Sequence, residues 1–183
     1  MNESDVLADV VAKLDAIGIP YMVAGSFASS LHGVPRTTND IDFVLDPSRA
    51  ALDRLMASFD ADVYYADAEV ARDALERRSK FNIIHLASGW KIDFIICKAR
   101  RFSLSELSRR EHALMAGIEV FVATPEDTVL AKLEWAKLGE SERQLRDVRG
   151  IVEAQGNHLD RAYVEAWLDE LGLRELWQTI VTT

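Results

Sequence analysis

Three carboxylates and one tight turn carry the chemistry of this sequence. Asp40 and Asp42 flank Ile41, thirteen residues separate Gly25-Ser26 from Asp40, and Asp93 lies fifty-one residues after Asp42. Each belongs to a strand-like apolar run: Tyr21-Met22-Val23-Ala24 before the Gly-Ser, Ile41-Phe43-Val44-Leu45 around the Asp pair, and Ile92-Phe94-Ile95-Ile96 around Asp93. Residues two apart on a strand share a face. Asp40 and Asp42 therefore aim both carboxylates at one spot while Ile41 and Phe43 enter the core. Like charges held that close repel, and burying them is costly, unless a cation lies between them. Hard oxygen ligands of this kind suit Mg²⁺ or Mn²⁺. At the Gly25-Ser26 turn, a strand passing into a helix presents backbone N–H groups, and glycine lets a phosphate come close. Ser26 adds a hydroxyl donor. Gly-Ser turns are also common where nothing binds, and for Asp93 the simpler partner is Lys91, two residues away on the same face. The pattern G-x-x-x-x-G-K-[ST] is absent, so a P-loop NTPase is unsupported.

The elements that must position these residues fall into two halves. Val6, Leu7, Val10, Val11, Leu14 and Ile17 form a helical stripe, with Ser4 as a candidate cap and Gly18 and Pro20 as its stop. A short strand at 21–24 turns into a small helix through Leu31, a loop follows at 33–39, and Ile41–Leu45 forms the next strand. A helix opens at Pro47-Ser48, Val63–Tyr65 forms a short strand, and Asp67–Arg77 a further helix. Phe81–Leu86 and Lys91–Cys97 make one hairpin, and Ala113–Met115 with Ile118–Val122 a second; Leu104–Leu107 is ambiguous. From Thr124-Pro125 onward the pattern is helical: a long helix to Leu138, then 141–153, 160–170 and 173–180. The expected architecture is an α/β, mixed-sheet core over residues 1–123 and a helical C-terminal subdomain over 124–183.

The totals bound the class. At 183 residues, nearly half of them hydrophobic, one compact domain or a domain with a helical appendage is expected. No apolar run approaches the roughly 20 residues that span a bilayer, and the acidic start lacks the regions of a signal peptide. Cys97 is the only cysteine, which excludes an internal disulfide and favours a cytoplasmic protein with a buried structural thiol. The net charge of −9 opposes broad nucleic-acid binding. Residues 72–110 nevertheless hold ten Lys or Arg against four acids, enough to line one side of a cleft for a polyanion or simply to be solvated loop charge.

Taken together, Ala24-Gly25-Ser26, Asp40-Ile41-Asp42-Phe43 and Asp93 resemble the DNA polymerase β-like nucleotidyltransferase superfamily over roughly residues 20–97. A closer likeness, to the AbiEii-type branch of bacterial nucleotidyltransferases, runs through Gly25–Gly33, Pro35-Arg36 and Thr124-Pro125-Glu126-Asp127 to Lys132. That branch includes toxins of toxin–antitoxin and phage-abortive systems. The resemblance implies a two-metal nucleotidyltransferase that moves an NMP from an NTP to an acceptor hydroxyl. In it Asp40, Asp42 and Asp93 are metal ligands and catalytic residues, and Gly25 and Ser26 cradle the distal phosphates. Lys132 and Asp147 match its nucleotide-handling positions. The acceptor stays open among tRNA, protein and small molecule, as does an antitoxin partner. The alternative class is an inactive nucleotidyltransferase-like binding protein.

Each assignment has a plainer competitor. Lys132 could be a surface lysine paired with Glu126 or Asp127, and Asp147 could pair with Arg143 or Arg146. Arg36 could reach a phosphate or remain a solvated loop residue. His32 reads as a cap or packing residue, and His85, His112 and His158 lack zinc-ligand spacing. Trp135, Trp167 and Trp177 fall among leucines at helical spacing, as core residues do.

Overall fold

The computed structural model describes residues 3–139 and 141–182. Among them, seven strands form one mixed sheet. In chain order these are β1 (Tyr21–Val23), β2 (Asp40–Leu45), β3 (Tyr64–Tyr65), β4 (Lys80–His85), β5 (Lys91–Ile96), β6 (Glu111–Met115) and β7 (Ile118–Val122). They lie in the order β3-β4-β5-β2-β1-β7-β6. The β4–β5 and β6–β7 neighbours are antiparallel hairpins, whereas β2 runs parallel to β5 and antiparallel to β1. The parallel register sets Asp42 directly beside Asp93 and Asp40 beside Lys91.

Alternation along the strands divides the sheet. Tyr21, Val23, Ile41, Phe43, Leu45, Ile92, Phe94 and Ile96 enter the main core. They meet α1 (Glu3–Ile17), α3 (Arg49–Ala57) and α4 (Ala68–Arg77) there. Met22 and Val44, with Ile95 beside them, point the other way, against Cys97, Ala123 and Leu107 of α5 (Arg101–Arg109). Asp40, Asp42, Lys91 and Asp93 share this second face, where apolar cover gives way to a cleft.

Capping chemistry sets the helix starts. Ser48 accepts from the Ala51 N–H, Asp67 from Glu69 and Val70, and Thr124 from Asp127 at the head of α6 (Pro125–Lys137). The helix α1 already includes Ser4, so that residue is not its cap; the preceding position lies outside the described residues. Gly18, at φ +76°, ends it as expected. The ambiguous stretch Leu104–Leu107 is helical, because Phe102, Ser103, Glu106 and Leu107 form one buried stripe along α5. A separate apolar cluster joins Phe102 to α6, α7 (Ser141–Gln155), α8 (Arg161–Leu171) and α9 (Arg174–Val181). Trp177 is buried in it and Trp167 packs at its edge, but Trp135 is not a core residue: it is 46% exposed on α6.

Candidate active site

The turn into α2 (Gly25–His32) is built around Asp42. Ala24 donates its N–H to the Asp42 backbone carbonyl at 2.9 Å, which ties the end of β1 to β2. Gly25 then takes φ +59°, and a Cβ placed there would lie 1.9 Å from Asp42 Oδ2. Glycine is thus required twice over, by conformation and by contact. The Ser26 backbone N–H, at the start of the helix, hydrogen-bonds the Asp42 carboxylate. The Gly25-Ser26 turn is thus a half-buried helix start whose Ser26 N–H engages an anion, the Asp42 side chain.

The three carboxylates differ in setting. Asp40 is exposed, Asp42 half-buried and Asp93 buried, at 5% exposure. Burial, and then the neighbouring Asp93 charge, push the Asp42 carboxyl above its usual range, with Lys132 acting the other way. Lys91 Nζ donates to Asp93 Oδ2 at 2.8 Å and lies 2.7 Å from Oδ1, while Lys80 stands 3.7 Å from the same carboxylate. Asp93 Oδ1 is buried and accepts no hydrogen bond. The Lys91 ammonium is held charged by Asp93, and by Asp40 and Asp42 beyond it, against the burial that opposes charge. Among the described residues no three acidic, His or Cys side chains close into a ready-made metal cage. The cause is visible in the contacts: Asp93 is drawn to Lys91, and Asp42 is pinned to Ser26.

Lys132 and Asp147 correct their plainer readings. Lys132 is 4% exposed rather than a surface lysine, and its Nζ donates to Asp147 Oδ2 at 2.6 Å, not to Glu126 or Asp127. Asp147 likewise pairs with Lys132 and with Arg36 Nε, at 3.4 Å. Burial pulls the Lys132 pKa down while Asp147 supports the charge. Arg36 also donates through Nη2 to Ser26 Oγ, so it is neither free nor purely solvated. Backbone packing fixes this loop: a Cβ on Gly33 would lie 2.8 Å from the Ile151 backbone N, and Gln155 donates to the His32 carbonyl at 2.8 Å.

Gly25, Ser26, Arg36, Asp40, Asp42, Asp93 and Lys132 thus line one cleft of about 430 Å³. Asp147 stands behind Lys132 and Arg36, outside the lining. Of the basic segment, Lys80, Lys91, Lys98 and Arg100 face the cleft. Arg77 pairs with Asp73, Arg78 with Asp46, and Arg109 with Asp127, so the segment is only partly a cleft wall. His32 packs through Nε2 on the Ala123 carbonyl at 2.7 Å, and His85 is buried against Ser88. Cys97 is buried and its thiol is pushed up to about 11, as for a structural cysteine.

Sequence reasoning missed the cleft's other end, where Ser103, Glu106, Thr128, Glu134 and Trp135 join Arg100. A usable signal existed. Glu106 falls in the stripe of Phe102, Ser103 and Leu107, which places a carboxyl on the buried face of its helix.

No protein-family model matches the chain, and no curated protein matches it by sequence. Solved structures do. The antibiotic-resistance factor ANT(2'')-Ia superposes with a TM-score of 0.58 at 14% identity, over 98% of this chain and 99% of that one. An antigenic nucleotidyltransferase-like protein from Paracoccidioides brasiliensis gives 0.54 at 17% identity, over 83% and 75%. The lincosamide antibiotic adenylyltransferase LnuA gives 0.53 at 9% identity, over 82% and 96%. At these identities the likeness is one of fold: the chain has the α/β fold of nucleotidyltransferases, a mixed sheet with C-terminal helices. Among the described residues no helix is long and apolar enough to cross a membrane.

Proposed function

We propose that the protein is a metal-dependent nucleotidyltransferase that moves an NMP from an NTP to an acceptor hydroxyl. The observation that carries this reading is the convergence, in one cleft, of Asp40, Asp42 and Asp93 with the Gly25-Ser26 turn and the buried Lys132. The nucleotidyltransferase fold, shared with a protein named as an adenylyltransferase, supports the same chemistry. A divalent cation suits these residues. The buried Asp93 already draws one cation, the Lys91 ammonium, burial and the neighbouring Asp93 charge raise the Asp42 pKa, and all the donors are hard oxygens. Asp40, Asp42 and Asp93 would hold Mg²⁺ or Mn²⁺, which when bound neutralises triphosphate charge and the charge developing on the leaving pyrophosphate.

The chain's own residues do the rest. Gly25 and Ser26 offer backbone N–H and hydroxyl donors to the distal phosphates, and Arg36, already on Ser26 Oγ, adds a guanidinium. Lys132, kept charged by Asp147, supplies a compact ammonium near Asp42. The acceptor oxygen attacks the α-phosphorus, its proton passes to the Asp93 carboxylate, and the bond to the bridging oxygen breaks to release pyrophosphate. We further propose that residues 1–123 form the donor-binding core and 124–183 a helical subdomain that delivers Lys132. Placement in the AbiEii-type branch, a cytoplasmic setting and a toxin role with an antitoxin partner belong to the same proposal. Calorimetric titration with the four NTPs and Mg²⁺ tests it: binding is expected for the native chain and lost in Asp42→Ala. Equal behaviour of the two proteins, or no binding by either, rejects the reading.

A further inference from the structure

Glu106 is the one carboxyl of the cleft that neither the triad nor an ion pair uses. It is 7% exposed, lines the cavity, and among the described residues takes part in no ion pair. A buried polar group without a partner is costly, and native folds keep such groups mainly where a ligand or function needs them. The groups that face it are Arg100 from the start of its own helix, Cys97 after β5, and Asp127 and Glu134 from α6. The single cation among them is committed elsewhere. Arg100 grips Glu134 with both terminal nitrogens, at 2.7 and 2.6 Å, and donates through Nε to Ser103 Oγ at 2.9 Å. Asp127 is likewise tied to Arg109, Tyr163 and Thr124. This end of the cleft therefore holds a carboxyl with no ion-pair partner among the described residues, and the partly exposed Trp135 lines the same cleft.

We propose that Glu106 anchors an acceptor subsite for a primary amine, so that the molecule receiving the nucleotide carries an ammonium group beside its hydroxyl. The proposal rests on the nucleotidyltransferase reading for the word acceptor, but the subsite stands on the geometry around Glu106. An ammonium supplies the missing partner: it donates to Glu106 in a charge-assisted hydrogen bond and keeps the carboxyl ionised. A phosphate or carboxylate would meet repulsion from Glu106, whose neighbours Asp127 and Glu134 are already matched by Arg109 and Arg100. The basic wall of Lys80, Lys91 and Lys98 is thereby left to the triphosphate. The amine could be borne by a small hydroxylated molecule or by a lysine side chain of a protein, and the two sources separate by experiment.

The test is ligand-detected NMR on the full chain without nucleotide at pH 7.5, using glucosamine, glucose, glucose 6-phosphate and Nα-acetyl-lysine amide. Glucosamine or the lysine amide is expected to bind. Glu106→Gln should weaken that binding about tenfold, the worth of one charge-assisted hydrogen bond, and Glu106→Asp should weaken it less. Preference for glucosamine points to a small-molecule acceptor, preference for the lysine amide to a protein. The proposal is overturned if neither amine binds, if Glu106→Gln binds them as tightly as the native chain, or if glucose 6-phosphate is preferred. Calorimetry with Mg²⁺ and ATP on the same samples keeps the two readings apart. Amine binding without ATP binding rejects the transferase and leaves the subsite; the converse rejects the subsite alone.

Discussion

Replacing Glu106 by Gln should stabilise the protein in alkali and leave it unchanged in acid. Burial, with Asp127 and Glu134 adding to it and Arg100 opposing, raises the Glu106 carboxyl from 4.5 to about 8. A carboxyl whose folded pKa is raised binds its proton more tightly in the native state. Its penalty is therefore absent below the unfolded value and grows as pH climbs from 4.5 towards 8. Each tenfold in proton affinity is worth about 1.4 kcal/mol, so the ionised carboxyl costs the fold on the order of 5 kcal/mol by pH 9. Water entry through the cleft reduces that figure, so a gain of roughly 2 kcal/mol in the Gln variant is the expected reading. Urea denaturation of both proteins at pH 5, 7 and 9 measures it. The difference between the two cancels every other titrating group, and should stay under about 1 kcal/mol at pH 5 while widening steadily above it. A gap that is constant across the range, or that favours the native Glu106 at pH 9, would refute the claim that this carboxyl is buried without a partner.

Four further outcomes follow from the same contacts. Gly25→Ala places a Cβ 1.9 Å from Asp42 Oδ2 at φ +59°, so thermal melting should drop by several degrees and NTP binding should vanish in calorimetry. Lys91→Met removes the ammonium that competes for Asp93, and Mn²⁺ affinity followed by EPR should rise about tenfold; a fall would mean that Lys91 orients Asp93 for the cation. Lys132→Met strips the buried Asp147 of its closest partner, which should cost about 3 kcal/mol in urea denaturation. Cys97, buried and with a thiol pushed up to about 11, should resist iodoacetamide at pH 8 until urea unfolds the chain.

The gathering of Asp40, Asp42, Asp93 and the Gly25-Ser26 turn in one cleft was legible because each placement is local. Asp40-Ile41-Asp42, Gly25-Ser26 and Asp93 each sit on or beside a strand, where a period of two decides which face a side chain takes. What the period cannot supply is register between strands. That Asp42 lies beside Asp93, and Asp40 beside Lys91, depends on the parallel pairing of β2 with β5. Lys91 therefore reads from sequence as the partner of Asp93 alone, whereas in the fold it answers to all three carboxylates. Pairings across long separations fail for the same reason. Asp147 has arginines four before and one before it on its own helix, yet it bonds Lys132 and Arg36, which packing of α6 and the 33–39 loop brings to it. Trp135 misled because leucine-like spacing says that a helix has a buried face, not where a neighbouring cleft interrupts the cover.

The same pairings explain how a chain can fold around so many carboxylates before any substrate arrives. Asp42, Asp93 and Asp147 are half-buried or buried, and each has a cation or a helix-start N–H assigned to it: Lys132 and Ser26, Lys91, and Lys132 with Arg36. Removing one member of such a set leaves an uncompensated charge, which is far more costly than the net worth of the pair. On the proposed function, a triphosphate with its divalent cation would exchange partners with these groups rather than fill a bare site. Asp40, Asp42 and Asp93 would hold the cation, which would leave Lys91, Ser26 and Arg36 for phosphate oxygens. Glu106 stands outside the exchange. On the proposed function, its counter-charge would come from the acceptor.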